Sequence, residues 1–292
     1  MIERFAFWLL FALVSPLPAN PVVGPKKGSL VIMGGGGKDH TFPEVFGEFI
    51  KLAGGKKAHI VIVPTAASSE PNYHYQRSWG AALAAELGVT EVTILHTHDR
   101  KTADTPDFVK PLTKATGVWF GGGRQWRLTK AYGDTLTEKE FHRVLERDGV
   151  IGGSSAGATI QGSFLARGDT SGNTIMIGDI QRGFGFLKNT AIDQHLIARN
   201  RQKDLLKVLQ DPNGKMRPEF KRTELLGIGI DEDVAIVVTG DRFRIIGKDK
   251  GQVLVYDPKK WTPDTPDDQK WQVLEKGQRY DLGKRRIIPA DR

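Results

Sequence analysis

Short apolar runs alternate with amphipathic stretches through the first half of the chain. Five runs rich in Val, Ile, Leu, Trp or Phe predict strands, at Ser29–Met33, His59–Val63, Glu91–Leu95, Gly117–Phe120 and Gly149–Gly152. Apolar residues at helical spacing predict helices at Glu44–Ala53, Tyr75–Leu87 and Lys139–Arg147. The alternation indicates βαβ units, and therefore an α/β fold with a mainly parallel sheet and helices on both faces.

The second half of the chain continues this pattern and then changes it. The stretch Gln194–Gln210 predicts a helix with Asp193 as its N-cap, and Leu225–Ile230 predicts a further strand. Residues 257–270 are rich in Pro, Asp and Lys and predict a loop. Three alternating runs predict an antiparallel extension, at Val234–Thr239, Arg242–Gly247 and Gln252–Tyr256.

Glycine-rich turns follow three of the predicted parallel strands, at residues 34–37, 121–123 and 152–157. Because sites in open α/β sheets lie at the carboxyl ends of the strands, we expect these turns to meet at the functional site. The run at 34–37 lacks the spacing of phosphate-binding glycine motifs, so it gives little support to nucleotide binding.

The N-terminus carries the pattern of a signal peptide. Phe5–Val14 is an apolar run of the length of a signal-peptide core and is too short to span a bilayer. Arg4 precedes it and small residues follow it, although Glu3 weakens the pattern. We predict a signal peptide and linker over residues 1–24, a single hydrolytic domain over 25–292, a secreted or periplasmic location, and no stable membrane association after cleavage. The alternatives are a core helix or an uncleaved anchor.

Composition excludes several kinds of chemistry. The 292 residues include no cysteine, which excludes disulfide bonds, thiolate zinc sites and a cysteine nucleophile. The formal net charge is +8, but the basic residues are spread along the chain and form no concentrated stripe. The charge therefore favours solubility, and nucleic acid is not an expected partner.

The segment GSSAG at residues 153–157 matches the pattern G-x-S-x-G and follows a predicted strand. Its small residues allow a sharp turn that lifts the hydroxyl of Ser155 clear of the sheet. The backbone N–H of Ala156 then points to where an oxyanion would form, and Gly121–Gly123 can supply a second N–H. The segment predicts Ser155 as a nucleophile. The alternative is a packing turn of small residues, and Ser154 is a weaker candidate because it is not central.

A catalytic serine needs a base, and His195 is the only one of the seven histidines that follows Ser155. Glu232 is the best candidate to orient its ring, with Asp231 and Asp233 as neighbours. The resulting order, Ser…His…Glu, differs from the order Ser…Asp/Glu…His of the α/β-hydrolases. Three earlier acids would restore that order, namely Asp169, Asp179 and Asp193.

His96 and His98 have the alternate spacing of some metal ligands, but no clear third ligand accompanies them. We interpret this segment as a loop at a strand end, and we expect neither a metal nor another cofactor.

Seven stretches give the chain a resemblance to the cyanophycinases and their relatives, serine exopeptidases that include aspartyl dipeptidase. They are MGGGG (33–37), VIVPTAASSEP (61–71), VWFGGGRQWRL (118–128), GGSSAGA (152–158), AIDQHLIARNR (191–201), LGIGIDEDVAIVV (226–238) and GQRYDL (277–282). The resemblance implies a flavodoxin-like, class-I-glutamine-amidotransferase-like sheet, with Ser155 as nucleophile, His195 as base and Glu232 as its orienter. It also implies an oxyanion hole from Gly123 and Ala156, and a substrate pocket lined by Gln125, Asp193, Gln194, Arg199 and Arg201.

The resemblance implies hydrolysis of β-aspartyl-arginine units of cyanophycin, or of related β-aspartyl peptides, through an acyl-enzyme. Two residues depart from the family: Arg124 stands where an acid is usual, and Asp204 stands where cyanophycinases carry a pocket arginine. These departures put strict cyanophycin specificity in doubt. The alternatives are an α-aspartyl dipeptidase and an inactive relative that binds acidic peptides. The partner is a peptide or cyanophycin-like substrate, and the fold would permit a homodimer.

Overall fold

A computed structural model describes residues 23–36, 41–67 and 86–289 of the chain, without the side chains of residues 41 and 42. The described strands are β1 Ser29–Met33, β2 His59–Val63, β3 Glu91–Ile94, β4 Gly117–Phe120, β5 Val150–Ser154, β6 Gly162–Phe164, β7 Leu187–Gln194, β8 Leu226–Ile230, β9 Val234–Thr239, β10 Arg242–Gly247, β11 Gln252–Tyr256, β12 Gln272–Glu275, β13 Arg279–Asp281 and β14 Arg286–Ile288. The described α-helices are α1 Thr41–Leu52, α2 Arg100–Ala103, α3 Pro106–Val109, α4 Gln125–Tyr132, α5 Leu136–Glu146, α6 Ala156–Thr159 and α7 Asp204–Gln210. Short 3₁₀ turns lie at Gly55–Lys57, Lys110–Lys114, Pro258–Lys260 and Asp267–Gln269.

The larger sheet has nine described strands in the order β14-β13-β10-β9-β1-β5-β4-β2-β3. The strands β1, β5, β4, β2 and β3 run parallel, whereas β9 is antiparallel to β1 and starts an antiparallel extension. The Val-rich and Ile-rich runs of β1 and β2 are buried because helices cover both faces of the parallel part. The predicted α/β class, the parallel part and an antiparallel extension are confirmed.

A second sheet has five described strands in the order β12-β11-β8-β7-β6. Its central strands β7 and β8 run parallel, with Thr190 opposite Leu226 and Gln194 opposite Ile230. The run Gln252–Tyr256 was predicted within the antiparallel extension, but it pairs with β8 in this second sheet. The alternating pattern correctly predicted a strand, but a strand's own sequence does not determine which partner it joins.

The prediction of a helix over Gln194–Gln210 is wrong in its first half. Gln194 is the last residue of β7, and the helix α7 begins only at Asp204. Asp193 is consequently a buried strand residue and not an N-cap. Tertiary pairing decides the local structure here, because β7 lies between two parallel partners whose hydrogen bonds outweigh helix propensity.

The described part of the chain is tied together from its first residue. The backbone N–H groups of Val23 and Gly24 donate to the Asp241 carboxylate at 2.8 and 2.9 Å, and the Val23 carbonyl accepts from Lys188 at 2.8 Å. The folded domain therefore includes two residues that the sequence assigned to the linker. The predicted leader core and nearly all of the predicted helix Tyr75–Leu87 lie outside the described residues. No described helix has the length and apolar character needed to cross a membrane.

Candidate active site

Ser155 lies in a strained turn between β5 and α6. Its φ and ψ are 58° and −113°, a conformation that a residue with a side chain adopts only under constraint. The turn is fixed because the Ser155 N–H donates to the Met33 carbonyl of β1 at 3.1 Å. The close approach of the strand and helix backbones on either side of Ser155 also requires glycine, since a Cβ at Gly153 would lie 2.4 Å from the Gly157 carbonyl oxygen. The predicted strand–turn–helix geometry around Ser155 is thus present.

His195 immediately follows β7 and enters the same region from the second sheet. Its φ is 55°, and its N–H donates to the Gly34 carbonyl at 2.9 Å. The ring lies over Gly35, where a Cβ would be only 2.2 Å from the imidazole Cε1. Gly35, in the glycine run after β1, therefore packs directly against the imidazole ring. The sequence pattern of this run did not reveal that role.

Three side chains from distant segments meet in one hydrogen-bonded row. Ser155 Oγ lies 2.8 Å from His195 Nε2, and His195 Nδ1 lies 2.5 Å from Glu232 Oε1. A neutral ring that donates from Nδ1 to the carboxylate presents Nε2 as an acceptor for the serine proton. The side chain of His195 is 9% exposed and that of Glu232 is 32% exposed, so the row is shielded at the ring and open at the acid.

The other acids considered as partners of His195 have different contacts. Asp231 accepts the N–H groups of Ile197 and Ala198 at 3.0 and 3.1 Å and so caps the turn that follows His195. Asp169 and Asp179 accept hydrogen bonds from residues of their own loop. The structure therefore brings Glu232, and none of these three acids, to the ring.

The electrostatic environment favours the neutral form of the imidazole. Burial lowers the pKa of His195 below its ordinary value, and the charges of Arg199 and Arg201 lower it further. The hydrogen bond and the charge of Glu232 act in the opposite direction without reversing the net change. A base that is unprotonated at neutral pH is suited to accept a proton from a hydroxyl.

The turn after β4 lies beside the serine. A Cβ at Gly122 would lie 3.5 Å from Ser155 Cβ, and Gly123 has a φ of 139° with its backbone against the Ala66 carbonyl. Ala156 is buried and begins helix α6 directly after Ser155. The backbone groups predicted for an oxyanion hole are thus next to the hydroxyl, and their role stays a prediction.

A buried charge cluster lies behind the row, and its central residue is Arg167, which the sequence analysis missed. Arg167 donates to both Asp193 oxygens at 2.8 and 3.0 Å and also to Asp204. Its side chain is 2% exposed and that of Asp193 is fully buried. The only local signal in the sequence is an arginine within an otherwise apolar and small-residue stretch, which does not reveal a long-range ion pair.

The predicted pocket residues divide into buried and exposed members. Gln125 is buried and donates to the Ala166 and Arg167 carbonyls at 2.7 and 3.0 Å. Arg201 donates to the backbone and side-chain oxygens of Gln194, both at 3.0 Å. Arg199 is exposed. Contact of these residues with a substrate stays a prediction. Gln194, Arg199 and Arg201 lie on the segment that carries His195, whereas Gln125 begins helix α4.

His96 and His98 lie at the end of β3, with ring centroids 4.9 Å apart. His96 Nδ1 is 2.9 Å from the Thr65 hydroxyl, which is itself 2.5 Å from the Tyr132 hydroxyl. Within the described ranges, no group of three or more His, Asp or Glu side chains is arranged to hold a metal ion.

Comparison with known proteins gives a family match over most of the chain. The model of the family described as "Peptidase family S51" matches residues 30–246. The chain is 32% identical over 236 residues to a cyanophycinase from Geminocystis herdmanii, covering 79% of this chain and 81% of that protein. It is 31% identical over 280 residues to a cyanophycinase from a Nostoc species, covering 91% and 89% of the two chains. The resemblance stated from the sequence motifs is confirmed.

Solved structures agree in fold. A peptidase from an acI-B1 Actinobacterium superposes with a TM-score of 0.66 and 24% identity, covering 87% of this chain and 97% of that one. A putative peptidase E protein from Listeria monocytogenes gives a TM-score of 0.53 at 17% identity, covering 76% and 99%. These values support the flavodoxin-like, class-I-glutamine-amidotransferase-like fold that the family resemblance implied.

Proposed function

Because this chain belongs to peptidase family S51 and is a serine-type peptidase, we propose that it is an exopeptidase that hydrolyses β-aspartyl peptide bonds through an acyl-enzyme. The observation that carries the proposal is the row Ser155–His195–Glu232, with contacts of 2.8 and 2.5 Å. The candidate substrates are the β-aspartyl-arginine units of cyanophycin and related β-aspartyl peptides.

In the proposed mechanism each member of the row has one role. Ser155 Oγ attacks the carbonyl carbon of the scissile bond while its proton passes to His195 Nε2. Glu232 accepts the Nδ1–H bond and stabilises the imidazolium that forms. The imidazolium gives its proton to the leaving amine, and an acyl-enzyme remains. Water then attacks the ester with His195 as base, which releases the acid product and restores the serine.

The backbone around the serine supports the same chemistry. The carbonyl oxygen gains negative charge in the transition state, and N–H groups of Ala156 and Gly123 would donate to it. Such preorganised donors contribute about 2.7–4 kcal/mol each to transition-state stabilisation in known serine peptidases.

Charge at the site supports an acidic substrate. Arg199 and Arg201 lie close enough to His195 to lower its pKa, while the acids Asp193 and Asp204 are both bound to Arg167. Arg201 lies 4.0 Å from Asp193, whereas Arg199 is exposed and has no ion pair among the described residues, so Arg199 is the cation that a substrate carboxylate would meet. Guanidinium groups bind carboxylates in charge-assisted contacts. The cyanophycinase names of the relatives support a β-aspartyl substrate.

The test is product analysis by mass spectrometry after incubation with cyanophycin and with α- and β-aspartyl dipeptides. We expect Ser155→Ala to abolish turnover while substrate binding remains, and Ser154→Ala, which removes the adjacent hydroxyl, to retain turnover within about threefold of the unmodified protein. Cleavage of α-aspartyl dipeptides alone would replace the proposal with an α-aspartyl dipeptidase. Binding of acidic peptides without turnover would indicate an inactive relative.

A further inference from the structure

Two arginines meet at one carbonyl on the side of Ser155 that faces away from His195. The Ala66 carbonyl accepts the Arg124 N–H at 2.8 Å and the Arg127 guanidinium at 3.1 Å. Arg127 also lies over the Trp126 ring, with its guanidinium carbon 5.2 Å from the ring centroid. These contacts fix the Arg127 guanidinium and the backbone of Arg124 at the carboxyl edge of the larger sheet, and the charge of Arg124 acts on Arg127.

No carboxylate among the described residues pairs with either guanidinium. Two like charges so close together disfavour each other. Partial burial lowers the pKa of Arg127 and the charge of Arg124 lowers it further, while the pKa of His98 is lowered by burial and by Arg127. An anion at this place would remove the repulsion, and its binding to two arginines would be charge-assisted.

The distance to the nucleophile suits a peptide substrate. Ala66 follows β2, and β4 is the one strand that separates β2 from β5, which carries Ser155. Two strand spacings amount to about 10 Å, which is the span of about three residues of extended chain. Gly122 and Gly123 bridge this distance, since one lies against Ser155 and the other against Ala66.

The opposite side of Ser155 is also cationic. Arg199 and Arg201 lie there, beside His195, while Asp193 and Asp204 are held by Arg167. Among the described residues, a bound substrate would therefore have arginines on both sides of the scissile bond.

We propose that Arg124 and Arg127 form an anion subsite that binds a second carboxylate of the substrate. The inference rests on the proposed function and narrows its substrate class. The favoured substrate is a β-aspartyl peptide whose neighbouring residue is acidic, and a peptide with arginine at that place is repelled by a like charge.

The test compares two β-aspartyl tripeptides that differ only in having glutamate or arginine beside the scissile unit. For the unmodified full chain we expect a KM for the glutamyl peptide about tenfold lower than for the arginyl peptide. Arg124→Glu should reverse this preference, largely through KM and with kcat changed little, while Arg124→Lys should retain it. Lys114→Glu is the matched control, because it makes the same charge change at an exposed position before β4, at the opposite edge of the larger sheet.

Labelling of Ser155 with a fluorophosphonate reads the nucleophile independently of substrate charge, and it should be equal in the unmodified chain and in Lys114→Glu. If the unmodified chain is labelled but prefers the arginyl peptide, or if Arg124→Glu and Lys114→Glu have the same preference, the anion subsite is wrong and the proposed function stands. If there is neither labelling nor turnover of either peptide, both the proposed function and this inference fail.

Discussion

At the residue scale, the position of the His195 imidazole depends on residue 35 having no side chain. Gly35 has a φ of 123°, and a Cβ there would lie 2.2 Å from Cε1 and 2.5 Å from Nδ1 of His195. A side chain at this place would both strain the turn and push the ring away from Glu232 and Ser155.

We therefore expect Gly35→Ala to lower kcat by about a hundredfold or more, because a displacement of about 1 Å has that effect on aligned catalytic groups. Gly47→Ala is the control. A Cβ at Gly47 meets nothing within 4 Å, and alanine in helix α1 should raise stability by up to about 1 kcal/mol. Kinetics and thermal unfolding of both variants check the prediction. A normal kcat in Gly35→Ala would show that the position of the imidazole does not require glycine here.

The pH dependence of catalysis should follow the pKa of His195. Burial holds this pKa below its ordinary value and Arg199 contributes in the same direction, so the acid limb of kcat/KM should lie below pH 6.5, about the ordinary pKa of histidine. In Arg199→Gln a cation that disfavours the imidazolium is lost. The pKa should rise, and the acid limb should move to higher pH.

The measurement is the pH profile of kcat/KM, with Lys203→Gln as the control because it removes an exposed cation from the same segment. If the acid limb of Arg199→Gln stays in place or moves to lower pH, Arg199 does not lower the pKa of the base. A change in KM alone, with the limb in place, would assign Arg199 to substrate binding only.

At the element scale, the sequence predicted strands better than the segments that join them to the site. The apolar runs of β1, β2 and β4 were recognised because parallel strands covered on both faces are continuously hydrophobic. His195 was assigned to the start of a helix, but it follows the strand β7 with a φ of 55°. That conformation depends on Gly34 and Asp231, which are distant in sequence, so local pattern could not reveal it.

The ion pair between β7 and the loop after β6 gives an energetic test of this element. Arg167→Met would remove both short contacts to the buried Asp193 and leave it only Arg201, at 4.0 Å. Loss of one partner of a buried ion pair typically costs about 3–5 kcal/mol. Lys259→Met breaks an ion pair whose two side chains are each 49% exposed, and it should cost much less because exposed ion pairs contribute little to stability. Urea unfolding of the two variants measures the difference.

Arg167→Met should also lower activity, because Asp193 lies in β7 two residues before His195, which follows that strand. We expect Arg167→Lys, which keeps the charge but loses the paired donors, to recover part of the stability lost in Arg167→Met. Equal destabilisation by Arg167→Met and Lys259→Met would contradict a buried supporting pair.

At the scale of the whole molecule, the site lies where two sheets meet. Ser155 follows a strand of the larger sheet, while His195 and Glu232 follow neighbouring strands of the second. The contact between the Gly34 carbonyl and the His195 N–H links the sheets directly at 2.9 Å. Sequence motifs predicted the three side chains through family resemblance, but neither periodicity nor spacing predicted a second sheet, because its strands are joined by pairings that only the fold determines.

The start of the domain provides a test of the leader, because we propose that the chain is exported and that a leader before Val23 is removed. Val23 and Gly24 share the Asp241 carboxylate, and Val23 also accepts a bond from Lys188. A chain that begins at Pro21 keeps these three contacts and should have the same Tm as the full chain. A chain that begins at Gly28 loses them, at about 0.5–1.5 kcal/mol each, and its Tm should fall by several degrees. N-terminal sequencing of the exported protein should find a cleavage point before Val23. Cleavage beyond Gly24 would contradict a domain that begins at Val23. Equal Tm values for the two shortened chains would contradict it as well.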